Sequence, residues 1–512
     1  MSPANDLISE YVARIEDARV YETSVETRLD YAPRLSSRYR NEIFLKREDL
    51  QPIFSFKCRG AANRLAQIPV STLRRGVVCS SAGNHAQGVA LAARRLGVTA
   101  LIVMPKTTMP LKIDAVSALG GEIVLEGETY DDAYAHAMAL AHERQLEFIH
   151  PFADPDVIAG QGTIGRELVT QSDRQAHAVF VPIGGGGLAS GVGAWLRHHW
   201  PRTRLVGVEP DDAASMHAAL QAGHPVELER VGIFADGVAV RRVADETLRI
   251  CREVLDETIQ VDTDAICAAI KDVYEDTRTI AEPAGALAIA GMKAFVEANS
   301  VVDERLIAIN SGANLNFDRL RHISERADIG ENLEILIAVE IPEQRGEFLK
   351  FCMALGSRNI TEFNYRCAPG KVARIFVGVG ISGDRAEAAS IVESLASSGY
   401  RVLDLSDNEL AKLHVRHMVG GPAPGLPNEL LYRFEFPERP GALLAFLESV
   451  GVRWNISLFH YRNHGSDYGR VLAGVQVPPE DRREFESHLD TLGYMFWSEA
   501  DNPAYRLFLA GD

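Results

Sequence analysis

Lys57 has the neighbours of a chemical reagent. It stands in Ile53-Phe54-Ser55-Phe56-Lys57-Cys58-Arg59-Gly60, behind an aromatic residue and at the head of a helix-forming run. A lysine amine is nucleophilic near neutral pH only where burial or a neighbouring cation lowers its pKa. Three other stretches carry residue types that complement such an amine: Ser80-Ser81-Ala82-Gly83-Asn84-His85, Ile183-Gly184-Gly185-Gly186-Gly187-Leu188 and Asn310-Ser311-Gly312-Ala313-Asn314. Four consecutive glycines between an apolar strand and a helix leave no Cβ to obstruct an approaching group. Their backbone N–H groups, at the positive end of a helix, suit a phosphate. The run matches neither a Walker loop nor G-x-G-x-x-G.

Ser80 to His85 also joins a strand to a helix, so its N–H groups and hydroxyls suit a substrate carboxylate. Ser81, Ala82, Gly83, Asn84 and His85 are the candidates, although the same residues fit an ordinary helix N-cap. The Asn84 amide is a donor of the kind that bonds a phenolic oxygen. Ser311 follows an apolar strand and places a hydroxyl at its end. A hydroxyl beside a pyridine nitrogen leaves the ring neutral, a weaker electron sink that favours prompt β-elimination.

The elements that must position these residues follow a repeating rhythm. Strands are expected over 77–79, 99–104 and 122–125, alternating with helices over 86–96, 110–119 and 130–144. A second series follows an expected turn at Gly160-Gln161-Gly162-Thr163: a strand over 178–182, the glycine run, a helix over 189–196 and a strand over 204–209. Alternation of this kind implies α/β architecture, with parallel sheets and a ligand cleft at the strand C-termini. Residues before about 40 read as a polar tract with a helix over 7–17 that covers a subunit surface.

Near Ile329 the pattern changes to strands alternating with amphipathic helices, and it repeats. Ile341-Pro342-Glu343-Gln344-Arg345-Gly346 returns as Phe436-Pro437-Glu438-Arg439-Pro440-Gly441, and Phe363-Asn364-Tyr365-Arg366 returns as Phe459-His460-Tyr461-Arg462. The module is duplicated, and Gly420-Gly421-Pro422-Ala423-Pro424-Gly425 reads as a flexible joint between the copies.

Composition excludes several classes. At 512 residues the chain is too long for one core, and with 46% hydrophobic and 24% charged residues it is neither disordered nor membrane-embedded. No apolar run spans a bilayer and the N-terminus lacks a secretory pattern, so the cytoplasm is the expected location. A net charge of −17 without a basic cluster argues against nucleic acid. The cysteines Cys58, Cys79, Cys251, Cys267, Cys352 and Cys367 form no C-x-x-C pair; Cys58 is read as a buried small hydrophobe rather than a catalytic thiol.

Together, the four motifs and the duplicated module resemble the fold-type II pyridoxal-phosphate enzymes, most closely the biosynthetic threonine dehydratase (threonine deaminase) family. The resemblance implies that Lys57 attaches the cofactor and serves as catalytic base, that Asn84 contacts it, that Gly184, Gly185, Gly186, Gly187 and Leu188 hold its phosphate, and that Ser311 faces its ring nitrogen. It implies a catalytic region over 1–325 with two α/β subdomains, then two α+β ACT-like regulatory domains over 335–407 and 430–502. The implied activity is conversion of L-threonine to 2-oxobutanoate and ammonia, the first committed step of isoleucine biosynthesis, in a homotetramer inhibited by isoleucine, with valine as opposing effector. Tyr365 and Tyr461 are the effector-site candidates, or else core aromatics of the repeated unit. Serine dehydration, another β-elimination or β-replacement, and a noncatalytic amino-acid sensor remain alternatives. Serine racemases of this fold carry a divalent-metal site after a Glu-Pro strand end. Glu209 and Ala213 match it, but Ser215 stands where the second carboxylate belongs, so no metal is assigned. Glu282 is read as a supporting residue.

Overall fold

The computed structural model describes residues 3–344, 346–356, 358–366, 372–383, 385–412, 416–418, 423, 425–437, 442–450, 453–462, 468–492, 494–502 and 509. The chain divides into two compact units, Met1–Gly330 and Glu331–Asp512. None of the described helices is long and apolar enough to cross a membrane.

The first unit holds two sheets. One has four parallel strands in the order Glu122–Leu125, Ala100–Met104, Val77–Ser80, Glu147–Phe148. The other has six, in the order Leu29–Tyr31, Glu42–Arg47, Arg305–Asn310, Ala178–Pro182, Arg204–Pro210, Glu257–Val261, all parallel except the antiparallel edge strand Leu29–Tyr31. Ala178–Pro182 is buried throughout, as a strand covered on both faces by helices must be. The alternation read from the sequence thus forms two α/β subdomains.

One expectation needs correction. Gly160-Gln161-Gly162-Thr163 is not a turn: it lies inside the helix Pro155–Gln171 and is buried. These glycines serve helix packing. A Cβ on Gly160 would stand 2.7 Å from the Arg59 carbonyl oxygen, and one on Gly191 of the neighbouring helix would stand 2.3 Å from that of Ile158. The backbones approach too closely for side chains, so a glycine pair mimics a turn signal within a core helix. The N-terminal helix Pro3–Glu16 belongs to the core of this unit, with Tyr11 and Ile15 packed fully buried among Ile158, Val192 and Trp195.

Among the described residues the second unit is built on one antiparallel sheet of eight strands, in the order Arg401–Asp404, Glu334–Pro342, Val372–Gly380, Ile360–Arg366, Asn455–Arg462, Tyr468–Gln476, Glu429–Pro437, Met495–Ser498. The order is a palindrome. Each copy contributes four strands, and the copies join through Ile360–Arg366 and Asn455–Arg462, with Phe363 opposite Tyr461 and Tyr365 opposite Phe459. Of the expected joint only residues 423 and 425 are among the described residues; Gly420, Gly421, Pro422 and Pro424 lie outside them, as do Arg345, Cys367, Glu438, Arg439, Pro440 and Gly441.

Candidate active site

Lys57 begins the helix Lys57–Gln67. The segment before it is tied to the loop after Arg305–Asn310: Phe56 N–H donates to the Ser311 carbonyl at 3.2 Å, and Ala313 N–H to that of Phe54 at 2.8 Å. Two motifs separated by about 250 residues of chain are thereby locked together. Both open on a cavity of ≈ 300 Å³, at the lower end of ligand-pocket size. Its walls also carry Ser81, Ala82, Gly83, Asn84 and His85, and Gly184, Gly185, Gly186, Gly187 and Leu188. Every catalytic, cofactor and substrate candidate read from the sequence meets here.

The Lys57 amine donates to the Pro151 carbonyl at 3.0 Å and lies 5.3 Å from the Phe56 ring centre. Burial lowers its pKa to about 8, with the charge of Glu282 pulling the other way. No carboxylate bonds it directly among the described residues, so roughly a tenth of the amine is neutral at pH 7, far more than for an exposed lysine.

Gly184, Gly185 and Gly186 form a loop that runs into the helix Gly187–His199. None has room for a side chain. A Cβ on Gly185 would sit 2.2 Å from the Phe152 ring, one on Gly187 2.6 Å from the Phe152 carbonyl, and one on Gly184 2.9 Å from Val238. Gly186 also takes φ +89°. The first bond that closes the helix runs from Ser190 N–H to the Gly186 carbonyl at 2.9 Å, so earlier N–H groups have no intrahelical acceptor. Phe152 thus links the glycine loop to the Pro151 carbonyl that holds Lys57. No sequence pattern had marked this loop.

In the Ser81 to His85 stretch, part of the donor set is already engaged. Ser81 N–H donates to the Val103 carbonyl at 3.2 Å and Gly83 N–H to the Ser81 hydroxyl at 3.2 Å. The helix starts at Asn84, whose own N–H and that of His85 have no acceptor within the helix. The His85 imidazole points elsewhere, with Nε2 2.9 Å from the Ile149 carbonyl, and burial lowers its pKa to about 3. Its backbone can serve the site, whereas its ring stays neutral.

The Ser311 hydroxyl donates to the Ala284 carbonyl at 3.1 Å, and rotation about its C–O bond would present the same hydrogen to the cavity. Glu282 proves to be a cavity residue, a role its motif had not revealed. Its carboxylate accepts from Asn84 Nδ2 at 2.7 Å, and burial followed by repulsion from Asp236 raises its pKa to about 7. At the rim, Lys112 pairs with Asp236 at 2.7 Å. Cys58 is buried and burial pushes its thiol up to about 12, as a packing residue requires.

In the second unit, Tyr365 and Tyr461 are buried on the strands where the copies meet. Tyr365 stacks on Phe348 at 5.4 Å and donates its hydroxyl to Glu343 at 2.7 Å. Beside it lies a cavity of ≈ 10 Å³, the size of one water, lined by residues of both copies including Glu343, Leu447 and Asn455.

Residues 22–312 match the family described as pyridoxal-phosphate dependent enzyme, and residues 325–415 and 421–509 each match the C-terminal regulatory domain of threonine dehydratase. The chain is 54% identical over 504 residues to a biosynthetic L-threonine dehydratase of Burkholderia multivorans, covering 98% of this chain and 99% of that protein. It is 53% identical over 503 residues to that of Escherichia coli, with 98% of each covered. The chain belongs to the pyridoxal-phosphate-dependent threonine dehydratase family. The solved structure of the processed threonine deaminase isoform 2 of Solanum lycopersicum superposes with a TM-score of 0.62 at 48% identity, over 63% of this chain and 94% of that one. Members of this threonine dehydratase family are lyases, and the second unit is a pair of their regulatory domains.

The residues present fit the family's cofactor. A glycine cradle closed on its outer side to any Cβ offers helix N-terminal N–H groups to a phosphate, while an amine with a lowered pKa, an amide donor and a hydroxyl line the same cavity. Glu209, by contrast, is already engaged. Its two carboxylate oxygens accept from Met216 and His217 N–H, each at 2.8 Å, which caps the helix Ser215–Ala222.

Proposed function

We propose that the chain converts L-threonine to 2-oxobutanoate and ammonia, the first committed step of isoleucine biosynthesis. The observation that carries this reading is a half-buried lysine, its pKa lowered to about 8 by desolvation, on the wall of the cavity that receives the tetraglycine helix start. Pyridoxal phosphate, when bound, supplies an electron sink for negative charge at the substrate Cα. Lys57 would attach it, Gly184 to Leu188 would hold its phosphate, Asn84 its phenolic oxygen and Ser311 its ring nitrogen.

The rest of the chemistry falls to the chain's own groups. The Lys57 amine, freed by substrate, takes the Cα proton as general base. The N–H groups of Asn84 and His85, with Ser81 to Gly83 beside them, hold the carboxylate. Ser311, a neutral partner, would leave the ring a modest sink, so loss of the β-hydroxyl as water, protonated as it departs, would follow removal of the Cα proton promptly.

For the second unit the reading is regulatory. Isoleucine would inhibit and valine would oppose it at sites that include Tyr365 and Tyr461, in ACT-like domains over 335–407 and 430–502 that follow a catalytic region over 1–325. Inhibition requires that the effector bind one global state better than another, in an assembly taken to be a cytoplasmic homotetramer. The test is the initial rate of 2-oxobutanoate formation over a range of L-threonine, with and without L-isoleucine. Sigmoidal turnover suppressed by isoleucine supports both halves. Turnover of L-serine but not L-threonine by the cofactor-loaded protein overturns the substrate, and indifference to isoleucine overturns the regulation.

A further inference from the structure

Ile53, Asn314, Asn84 and Glu282 form one hydrogen-bonded chain along the cavity wall, and it can run in only one direction. A main-chain carbonyl only accepts, so the Asn314 amide atom 2.7 Å from the Ile53 oxygen is its nitrogen. That nitrogen lies 2.6 Å from the Asn84 amide, which therefore presents its oxygen there. Asn84 Nδ2 is left on the other side, 2.7 Å from Glu282 Oε1. One backbone carbonyl thus fixes the polarity of an amide two links away. An amide nitrogen carries two hydrogens; Glu282 takes one and the other remains for a ligand. With the amide reversed, an oxygen would occupy the same place and repel an anionic partner.

The far end of the chain is equally constrained. Glu282 is only 5% exposed, at the N-cap of the helix Pro283–Asn299, and a Cβ on Gly312 would stand 2.4 Å from its Oε1. The charged groups that act on its carboxyl are Asp236, which disfavours ionisation, and Lys112, which favours it; Lys57 feels the Glu282 charge in turn. An ionised carboxylate accepts from Asn84 more strongly than a protonated one.

We infer that Asn314 and Glu282 are positioning residues for the cofactor's phenolic oxygen: they hold Asn84 with its N–H rather than its C=O toward the ring, and the Glu282 proton governs how firmly. The inference rests on the assignment of Asn84 to that oxygen. Burial and Asp236 raise the Glu282 pKa to about 7, which places the switch in the working pH range.

The test uses the full chain, stripped of and reloaded with pyridoxal phosphate. Its readouts are the cofactor dissociation constant, the pH dependence of the bound cofactor's visible absorbance, and the thermal midpoint of the cofactor-free protein. Wild type should show an absorbance inflection near pH 7. Glu282→Gln keeps an acceptor for Asn84 and loses the proton, so affinity should stay within about threefold while the inflection disappears. Asn314→Asp replaces the donor at Asn84 by an acceptor, reverses that amide, weakens cofactor binding by about tenfold and moves the inflection to higher pH. Wild-type affinity and an unchanged absorbance titration in both variants overturn the inference, as does a lowered thermal midpoint with unaltered cofactor readouts. Should Asn314→Asp fail to fold, the nearly isosteric Glu282→Gln decides alone. If wild type itself takes up no pyridoxal phosphate, the cofactor assignment has failed instead.

Discussion

Lys57 and Arg59 lie two residues apart at the start of one helix, Arg59 fully buried and Lys57 half-buried on the cavity wall, and their surroundings are opposite. The Arg59 guanidinium bonds Glu48 twice at 2.8 Å, Glu167 at 2.5 and 2.9 Å, and the Thr163 hydroxyl at 3.1 Å; Lys46 joins the same Glu167 at 2.6 Å. Two cations face two carboxylates and the cluster closes on itself. Burial alone would lower the Arg59 pKa, but Glu48 and Glu167 outweigh it and hold the group charged. Among the described residues the Lys57 amine bonds a carbonyl and lies over a ring, and the pull of the Glu282 charge is weaker than burial, so its pKa falls. A buried charge with partners builds scaffold, whereas one without them stores reactivity. The scaffold cluster spans the N-terminal segment, the strand Glu42–Arg47 and the helix Pro155–Gln171, and so anchors the helix that presents the reactive amine.

Replacing each cation should have a different consequence. Lys57→Ala is expected to lower turnover by more than about a thousandfold while the protein stays folded, because among the described residues the side chain makes no ion pair. Steady-state rates and the loss of borohydride-fixed cofactor check this, and near-normal activity would overturn the role of Lys57. Arg59→Met leaves Glu48 and Glu167 buried with one cation fewer, a loss of about 3–5 kcal/mol in unfolding free energy. Denaturant melts of the two variants side by side should show the second collapse and the first barely move.

Carboxylates in the two clusters should respond to pH with opposite sign. Glu282 has its pKa raised to about 7, so between roughly 4.5 and 7 the folded chain keeps a proton that the unfolded chain has released. Stability of the cofactor-free protein should fall as pH rises through that window, by about 3 kcal/mol in all, and Glu282→Gln should flatten the slope. Glu167 is pushed up by burial but pulled below its ordinary value by Arg59 and Lys46 together. Its contribution is present above the ordinary carboxylate range and is lost as pH falls. A Glu282→Gln variant with the wild-type pH profile would show that its carboxyl is not the source.

The motifs around Lys57, Asn84, the glycine run and Ser311 were legible because each joins a strand to a helix with residue types that few structural needs explain. The duplicated module and the α/β alternation were legible from period alone. What stayed hidden depends on contacts between distant segments. Pro151 and Phe152 carry no pattern, yet they hold the lysine and close the glycine cradle. Gly160 and Gly162 resembled a turn, since composition cannot tell a tight bend from helices in backbone contact. Arg59 passed as part of a motif although it anchors the fold, and Asn314 passed as the end of another although it fixes the direction of Asn84.

Ser311 sharpens the contrast at smaller scale. Its hydroxyl is matched to Ala284 yet open to the cavity, so Ser311→Ala should weaken cofactor binding and turnover by roughly tenfold with little change in melting, the signature of a site residue rather than a scaffold residue. Unchanged cofactor affinity would remove it from the site.

The same distinction separates the two candidate tyrosines of the second unit, where the expected effect is smallest. Both rings are packed in the hydrophobic core, so neither can be truncated without cost. Their hydroxyls are a finer probe. That of Tyr365 bonds Glu343 beside the small cavity between the copies, so Tyr365→Phe removes one hydrogen bond, about 1 kcal/mol, and leaves the ring packing intact. If this hydroxyl belongs to an effector site, the isoleucine concentration for half inhibition should rise several-fold, while turnover without effector stays the same. If it is only core, the melting temperature should drop slightly and the inhibition curve should not move. Tyr461→Phe, run in parallel, then tells whether the palindromic sheet carries one such site or two, because equivalent places in the fold need not have equivalent surroundings.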